Sequence, residues 1–311
     1  MTGNAVLSAA RSADTVSADA FADANLRALA AEPLTVRGGQ GPAVPFIFAS
    51  PHSGRFYPSS FAQSSRLDAI SLRRSEDAFV DELFESVPDL GAPLIAARFP
   101  RAFVDANRAP GELDPAMFDA PLLSVGPRSP RVAAGLGVIP RVVRDGLEIY
   151  RARLPAGEAA FRLEHFYRPY HAALADLVER ARAEFGVAVV IDCHSMPPPA
   201  KAYDIVLGDC YGEAAAPELI AQAQKILTGL GFSVARNAPY AGGYTTHLYG
   251  RPHDGVHAIQ IEVSRALYLD ESRMEKSPGF VSCRDRLRVF ATKLLSETGS
   301  WLKVARRAAQ L

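Results

Sequence analysis

The sequence contains few cysteines, three in 311 residues, at positions 193, 210 and 283. So small and scattered a set excludes a scaffold held together by disulfides. Since free thiols persist in reducing compartments, we expect a cytoplasmic protein. An excess of charge of one sign is also absent, because 34 Lys and Arg balance 34 Asp and Glu. This balance argues against nucleic acid as the main partner.

Long hydrophobic runs are absent as well. No stretch approaches the about 18 apolar residues that a membrane-spanning helix needs, so we expect no membrane partner. The N-terminus lacks the charged start and apolar core of a signal peptide. Residues 1–22 are mostly small and polar, which is typical of a flexible segment.

Apolar runs alternate with helical patterns along the rest of the chain. Runs rich in Val and Ile predict strands at 45–50, 92–97, 187–192, 203–208, 232–236 and 257–264. Amphipathic patterns predict helices at 71–86, 157–185, 214–229 and 278–308. This alternation predicts a single α/β domain over 23–311, with a mixed, mainly parallel central sheet flanked by helices. Segment 106–150, rich in Gly, Pro and Arg, is typical of a long functional loop region.

Two predicted strands deliver a histidine at their carboxyl ends. His52 stands in "SPHSGRFYP" and His194 in "VVIDCHSMP". Ligands of α/β folds bind beyond these strand ends, so one crevice can hold both histidines. We interpret both as metal ligands, with Asp192 fixing the tautomer of His194. The alternatives are a turn histidine bonded to a backbone carbonyl and a histidine satisfied in the core.

The neighbours of His194 allow further roles. Ser195 could donate a hydrogen bond to a substrate carboxylate. Cys193 fits a small apolar core residue. It also fits a nucleophile with a histidine base, although nothing in the sequence marks it as a thiolate.

A zinc site needs a third protein ligand, and catalytic sites often use a carboxylate. The stretch "RRSEDAFVDELF" supplies Asp77, which we predict as the ligand, with Glu76 as the alternative. On the predicted helix 71–86, both acids could instead lie in the first turn after an N-cap at Ser75. There the helix dipole would stabilise each by about 0.3–1 kcal/mol.

Charged residues end two further apolar stretches. In "FPRAFVDANRAP", Arg101 and Arg108 offer bidentate contacts to a carboxylate and Asn107 offers a neutral donor, so an anionic substrate fits. The alternative is a surface ion pair.

Glu262 lies among Ile and Val in "HAIQIEVSR", where a carboxylate is costly unless it is paired or catalytic. It suits a general base, and Arg265 is the alternative structural partner.

The stretch "NAPYAGGYTTHLYG" combines three glycines with three tyrosines. It predicts a loop that can approach a substrate and close over it through Tyr244, Thr246 and His247. A tyrosine-rich turn without a ligand is the alternative.

Several of these stretches together resemble the N-formylglutamate amidohydrolase family. The matching motifs are "SPHSGRFYP", "SEDAFVDELF", "RAFVDANR", "YRPYHAAL", "IDCHSMPP", "DIVLGD", "GGYTTHLYG" and "IQIEVSRALYLDE", in order from about residue 45 to 272. Each motif is weak alone, but the ordered set is specific. The resemblance implies a fold like that of zinc carboxypeptidases and aspartoacylases.

The resemblance also implies a mechanism. Zn²⁺ would be bound by His52, Asp77 and His194, with Glu262 as the general base. The substrate would be a small anionic N-acyl amino acid, above all N-formylglutamate, cleaved to formate and glutamate.

The substrate carboxylate would be held by Asn107 and Arg108 on the same resemblance. Arg101 or Arg108 would stabilise charge on that carboxylate or on the tetrahedral oxyanion.

Two positions depart from the expected pattern. The family reads Thr-Arg-His-Tyr-Gly where this chain has "THLYG", so His247 replaces the arginine and Leu248 the histidine. Zinc carboxypeptidases place their second ligand three residues after the first, but Arg55 stands there in this chain. The preferred amino acid and the second ligand therefore stay open. Other N-acyl amino acid amidohydrolases, a carboxypeptidase-like hydrolase and a non-catalytic metabolite-binding protein are the rival functions.

Overall fold

The computed structural model describes residues 23–38, 41–143, 146–198 and 203–297. The predicted flexible segment 1–22 and the end of the predicted helix 278–308 lie outside these residues. The described residues divide into two compact units. The sheet unit comprises those within 35–53, 77–97 and 172–311, and the helix-and-loop unit those within 1–34, 54–76 and 98–171.

The strands of the described chain are β1 Leu34–Arg37, β2 Phe46–Ser50, β3 Leu94–Ala97, β4 Ala188–Met196, β5 Ile205–Gly208, β6 Val234–Arg236, β7 Val256–Ser264, β8 Leu269–Asp270 and β9 Glu275–Lys276. The α-helices are α1 Ala24–Ala31, α2 Ser59–Ser64, α3 Ala69–Arg73, α4 Val80–Leu83, α5 Pro130–Ala133, α6 Gly157–Arg162, α7 Arg168–Phe185, α8 Pro217–Gly229, α9 Tyr244–Tyr249 and α10 Phe280–Glu297. Short 3₁₀ turns and a π turn at Leu163–Tyr167 connect several of them.

The central sheet has seven strands in the order β1-β3-β2-β4-β7-β5-β6. Strand β2 runs parallel to β3 and β4, and β4 runs parallel to β7. Strand β5 is antiparallel to β7 and parallel to β6. Every residue of β2, β4 and β7 is buried, as expected for central strands covered on both faces. The predicted mixed, mainly parallel α/β sheet is therefore confirmed.

Alternation along β4 and β7 separates polar from apolar side chains. Cys193 and Ile261 belong to a large apolar cluster to which α8 and α10 also contribute. Since neighbouring residues of a strand point to opposite faces, His194 and Glu262 point away from that cluster. Strand β4 also continues four residues beyond its predicted end, to Met196, which places His194 inside the strand.

The predicted helix 71–86 is wrong as a single element. Helix α3 ends at Arg73 and α4 begins only at Val80, after Phe79 with φ 62°. Between them the Asp77 N–H donates to the His52 carbonyl at 3.0 Å, outside any helical pattern. Asp77 is therefore not a first-turn acid. A tertiary contact overrides a favourable helical pattern here.

The helix-and-loop unit has its own aromatic core. Phe103 packs against Phe61 and Phe166 with ring centroids 5.2 Å apart in both pairs. Gly54 belongs to this unit, and a Cβ there would lie 2.1 Å from the Phe99 carbonyl oxygen, so the close backbone approach requires glycine. The predicted helix 157–185 is confirmed as α6, the π turn and α7 in succession.

The sequence predicts neither a membrane-spanning helix nor a disulfide scaffold, and the described chain can be compared with both predictions. Within the described ranges, no helix is both long enough and apolar enough to cross a membrane. The three cysteines are free thiols. Burial raises the pKa of Cys193 well above its usual value, and the nearby Asp192 raises it further, which opposes the nucleophile interpretation.

Candidate metal centre and active site

Strands β2 and β4 bring the two predicted histidines together. The strands are adjacent and parallel, with Ala49 opposite Asp192. His52 follows the end of β2, and His194 lies near the end of β4. Their ring centroids are 4.8 Å apart, and the two residues are only 1% and 3% exposed. The site therefore lies at the carboxyl edge of the parallel strands, as predicted.

Asp77 completes a three-residue cluster with these histidines. Its Oδ2 lies 3.3 Å from His52 Nδ1 and 2.9 Å from His194 Nδ1. One ligand atom from each residue lies within 4.8 Å of the other two. In the described part of the chain, this is the one group of His, Cys, Asp and Glu side chains arranged to hold a metal ion.

The other oxygen of Asp77 is fixed by two donors. Ser195 Oγ donates to Oδ1 at 3.1 Å, and Arg265 Nη2 donates to it at 3.2 Å. Arg265 Nε also donates to Ser195 Oγ at 3.1 Å. Because Oδ1 is held in this way, Oδ2 remains directed at the histidines, as a ligand bound through one oxygen requires.

His194 is oriented from its other ring nitrogen. Nε2 lies 3.0 Å from Asp192 Oδ1, while Nδ1 faces Asp77. A carboxylate behind a histidine is the usual way to fix the tautomer and raise the basicity of a metal ligand. Asp192 therefore lies beside the ring nitrogen whose proton it is predicted to fix.

The electrostatics of the cluster favour a bound cation. Burial raises the pKa of Asp77, but hydrogen bonds to His194 and His52 outweigh it and hold that pKa well below its usual value. Burial lowers the pKa of His194, but the Asp192 and Asp77 carboxylates outweigh it and raise that pKa well above its usual value. Carboxylates that favour a proton on the imidazole also favour a metal cation in its place.

Glu76, the alternative ligand, is engaged elsewhere. Tyr57 Oη donates to its Oε1 at 2.7 Å, and Arg73 Nε donates at 3.0 Å. These three residues belong to the helix-and-loop unit. The geometry thus favours Asp77 over Glu76.

Glu262 lies beside the metal cluster in the sheet. It is opposite His194 in the β4–β7 register. Gln260 Nε2 donates to Glu262 Oε1 at 2.7 Å, and Glu262 is 7% exposed. Arg265, the structural partner considered from sequence, contacts Asp77 and Glu271 through its Nη atoms.

Arg101, Asn107 and Arg108 lie in the helix-and-loop unit. Arg101 Nε donates to Asp105 Oδ2 at 3.0 Å, and the Asn107 N–H donates to Asp105 Oδ1 at 2.9 Å. Arg108 is buried and donates to the carbonyls of Asn107 and Leu136 at 2.7 and 3.0 Å. Burial lowers the pKa of the Arg108 guanidinium, while Asp105 opposes this shift.

Only the second half of the glycine–tyrosine stretch differs from the predicted loop, because Tyr244–Tyr249 form a short helix, α9, while residues 237–243 before it are non-helical. It packs against β7 and β4. Tyr244 is half-buried and His247 is exposed. Thr246 is fully buried, and its hydroxyl has no hydrogen-bond partner among the described residues.

Residues around the site are less evident from sequence. The sequence predicts Arg265 as a partner of Glu262 and Ser195 as a substrate contact, and the structure shows that both also contact Asp77. Sequence reasoning misses Gln260, although its position two residues before Glu262 puts both on one face of a strand. This two-residue spacing is the sequence signal by which Gln260 could be found.

Comparison with known proteins gives a consistent set of relatives. The sequence profile described as N-formylglutamate amidohydrolase matches residues 44–269. An N-formylglutamate deformylase of Pseudomonas aeruginosa is 30% identical over 238 residues, covering 73% of this chain and 83% of the relative. The N-formylglutamate deformylase of Pseudomonas putida is 29% identical over 238 residues, covering 74% and 83%.

Solved structures agree with the sequence comparison. The crystal structure of an N-formylglutamate amidohydrolase from Ralstonia eutropha JMP134 superposes with a TM-score of 0.80 at 34% identity, covering 88% of this chain and 99% of the other. A gene product of Agrobacterium tumefaciens superposes with a TM-score of 0.63 at 18% identity, covering 86% and 95%, and shares the fold.

Proposed function

Because this chain belongs to the N-formylglutamate amidohydrolase family, we propose that it hydrolyses the amide bond of N-formylglutamate to formate and glutamate. The relatives named above as deformylases and amidohydrolases support this substrate. The single observation that carries the proposal is the buried cluster of His52, Asp77 and His194. We also propose that the substrate is small and anionic and that the protein is cytoplasmic.

We propose Zn²⁺ as the metal, bound by Nδ1 of both histidines and Oδ2 of Asp77. Two imidazoles and one carboxylate are a common donor set of catalytic zinc sites. The fit is supported by the held oxygen of Asp77 and by the carboxylate behind His194. When bound, zinc would supply Lewis-acid polarisation of the formyl carbonyl and of water.

Glu262 is the proposed general base. Its carboxylate takes a proton from the attacking water as the water oxygen bonds to the formyl carbon, and it returns a proton to the nitrogen as the C–N bond breaks. Gln260 holds one oxygen of Glu262, which fixes the direction of the carboxylate. Proton transfer of this kind is typically worth about 10²–10⁴ in rate.

The substrate contacts are proposed on the resemblance and on side-chain chemistry. Arg108 and Asn107 would hold the α-carboxylate, and Arg101 or Arg108 would stabilise the developing charge. Thr246, whose buried hydroxyl lacks a partner among the described residues, would contact the substrate, as would Tyr244 and His247.

Ser195 has a different proposed role from the one inferred from sequence. Its O–H already donates to Asp77. We therefore place it with Arg265 as a residue that positions a metal ligand.

A second candidate function is hydrolysis of other N-acyl amino acids, favoured by one observation. His247 is exposed and stands where the family pattern has arginine. A histidine would bind a γ-carboxylate more weakly than an arginine, and only when protonated.

The test compares kcat/KM for N-formylglutamate, N-acetylglutamate and N-formylleucine, together with the metal content of protein purified without added metal. We expect N-formylglutamate to be hydrolysed with a modest preference over N-formylleucine, and His247→Arg to raise that preference. Metal-loaded protein that hydrolyses none of the three would contradict the proposal. Hydrolysis of N-formylleucine without N-formylglutamate would favour the second candidate.

A further inference from the structure

The helix-and-loop unit contains an open cavity of about 260 Å³ whose lining is rich in arginine, most of it exposed to solvent. Four arginines line it, Arg66, Arg141, Arg151 and Arg153. Glu148 is the one acidic residue among its described lining residues. None of these residues belongs to the proposed metal centre, so the cavity needs an explanation of its own.

Backbone pairing holds this cavity in shape. Ser65 and Tyr150 form an antiparallel bridge. The Arg66 N–H donates to the Ile149 carbonyl at 2.8 Å, and the Arg151 N–H donates to the Ser64 carbonyl at 3.1 Å. The two arginines are thus carried by paired backbone rather than by a free loop.

The same pairing orients two of the guanidinium groups. Arg66 Nε donates to the Tyr150 carbonyl at 2.9 Å, and Arg151 Nε donates to the Ser65 carbonyl at 2.8 Å. Each bond fixes the inner nitrogen of the side chain. Less conformational entropy is then lost when the outer nitrogens bind a ligand.

The nearby carboxylates, Glu148 and Asp114, do not neutralise the positive charge of all four arginines. Both oxygens of Glu148 are already shared, one with Arg66 and one with Arg141, each at 3.2 Å. Arg141 also has Asp114 at 3.5 Å. Arg151 and Arg153 have no carboxylate partner among the described residues. Two positive charges therefore face the cavity without a counter-charge from those residues.

We propose that this cavity binds a small multivalent oxyanion. Guanidinium groups bind phosphate and carboxylate oxygens bidentately, and a concave site lined by one sign of charge concentrates the opposite ion. The cavity is slightly smaller than the about 300 Å³ at which drug-sized ligand pockets begin, which limits the ligand to a phosphate group or a short polycarboxylate. Tyr150, Arg141 and Glu148 belong to segment 106–150, for which the sequence predicts a functional loop region.

The test is isothermal titration of the full-length protein at constant ionic strength, with inorganic phosphate in one arm and tricarballylate in the other. Neither probe removes metal strongly, and the titration is repeated after metal removal. We expect saturable binding of at least one probe in both preparations. The tighter arm identifies the ligand as a phosphate or as a polycarboxylate.

Variants locate the binding. Arg66→Gln/Arg153→Gln should weaken the affinity at least tenfold, because two charge-assisted contacts are lost. Arg168→Gln changes an exposed arginine of the same unit that pairs with Glu164; it is the matched control and should bind as the wild type does. If the double variant does not fold, Arg153→Gln alone serves, since its side chain has no partner among the described residues.

Three results would overturn the proposal. One is the absence of saturable binding of either probe to the wild type. Another is binding by the double variant, or by Arg153→Gln if that variant stands in for it, equal to that of the wild type. The third is an equal loss of affinity in Arg168→Gln, which would show a general effect of surface charge.

Discussion

At the residue scale, the main question is why one of two adjacent acids faces the histidines. Asp77 contacts His52 and His194, whereas its neighbour Glu76 contacts Tyr57 and Arg73. The sequence offers both acids at nearly the same place. Which carboxylate meets the histidines depends on the break between α3 and α4, a tertiary feature that local patterns do not encode.

Replacing each acid separately tests this assignment. Asp77→Ala should lose bound metal, because the remaining two imidazoles rarely hold zinc against dialysis. Glu76→Gln, which keeps the shape beside Tyr57, should retain it. The measurement is metal per protein chain by elemental analysis, with circular dichroism as the folding control. Near-stoichiometric metal in Asp77→Ala would remove Asp77 from the ligand set.

Glu262→Gln tests the proposed base without changing its shape. We expect kcat for N-formylglutamate to fall by about 10²–10⁴, because the side chain can no longer accept a proton. Metal content should not change, since Glu262 is not a proposed ligand. Turnover within a few-fold of the wild type would show that Glu262 is structural only.

The sequence points to the candidate site residues more directly than to the residues that surround them. His52, His194 and Glu262 are conspicuous because each is a polar residue at or near the end of an apolar run. Arg265 and Ser195 are less conspicuous, because the Asp77 oxygen they share is 188 and 118 residues away in sequence.

At the element scale, the pattern of apolar residues along the strands determines which elements can be predicted from the sequence. The apolar runs correctly predict the positions of β2 to β7, and all of these except the edge strand β6 are buried throughout. The sequence misses β1, a short, partly exposed strand at the edge of the sheet. The helix predicted at 71–86 fails because Asp77, in its middle, is committed to contacts with His52 and His194.

Strand β7 also carries a titratable group whose contribution to stability can be measured. Burial lowers the pKa of His257 from 6.5 to about 4, partly opposed by Glu218. His257 Nδ1 accepts a hydrogen bond from the Ala216 N–H at 3.2 Å, which requires an unprotonated nitrogen. Below pH 6.5 the unfolded chain binds a proton that the folded chain does not, so stability falls as the pH drops toward 4.

His257→Asn should reduce this pH dependence, because asparagine keeps an acceptor and does not titrate. Between pH 7.5 and 5 the wild type should lose about 2 kcal/mol more free energy of unfolding than the variant. Urea unfolding of metal-free protein at both pH values gives the difference. Equal losses in the two proteins would contradict the assignment.

At the scale of the whole molecule, the proposed metal binding should be linked to stability. The three proposed ligands meet only in the folded sheet unit, so a metal should bind the native chain and not the unfolded one. Such a ligand at 100 times its Kd stabilises by about 2.7 kcal/mol.

Zinc added to metal-free protein should therefore raise the melting temperature by several degrees. His52→Ala should show no such rise, and Glu76→Gln should respond as the wild type does. Scanning calorimetry with and without zinc makes the comparison. A rise of equal size in His52→Ala would place the stabilising metal elsewhere.

The family and the fold class were predictable because eight motifs occur in order and because the strands are strongly apolar. The substrate side was less predictable. Its expected residues lie far apart in sequence, and α9 forms a helix inside a stretch whose glycines and tyrosines favour a loop.

The wide spacing of the three proposed metal ligands has a consequence for how the protein matures. His52 and His194 are 25 and 117 residues from Asp77 along the chain. During synthesis His52 and Asp77 emerge long before His194. The three residues are held together only once β2 and β4 are paired. A metal held by these three residues would therefore not nucleate folding, as zinc does in small zinc domains. Newly made chains would fold before they bind the proposed zinc, so a shortage of zinc would leave folded but inactive protein rather than unfolded chains.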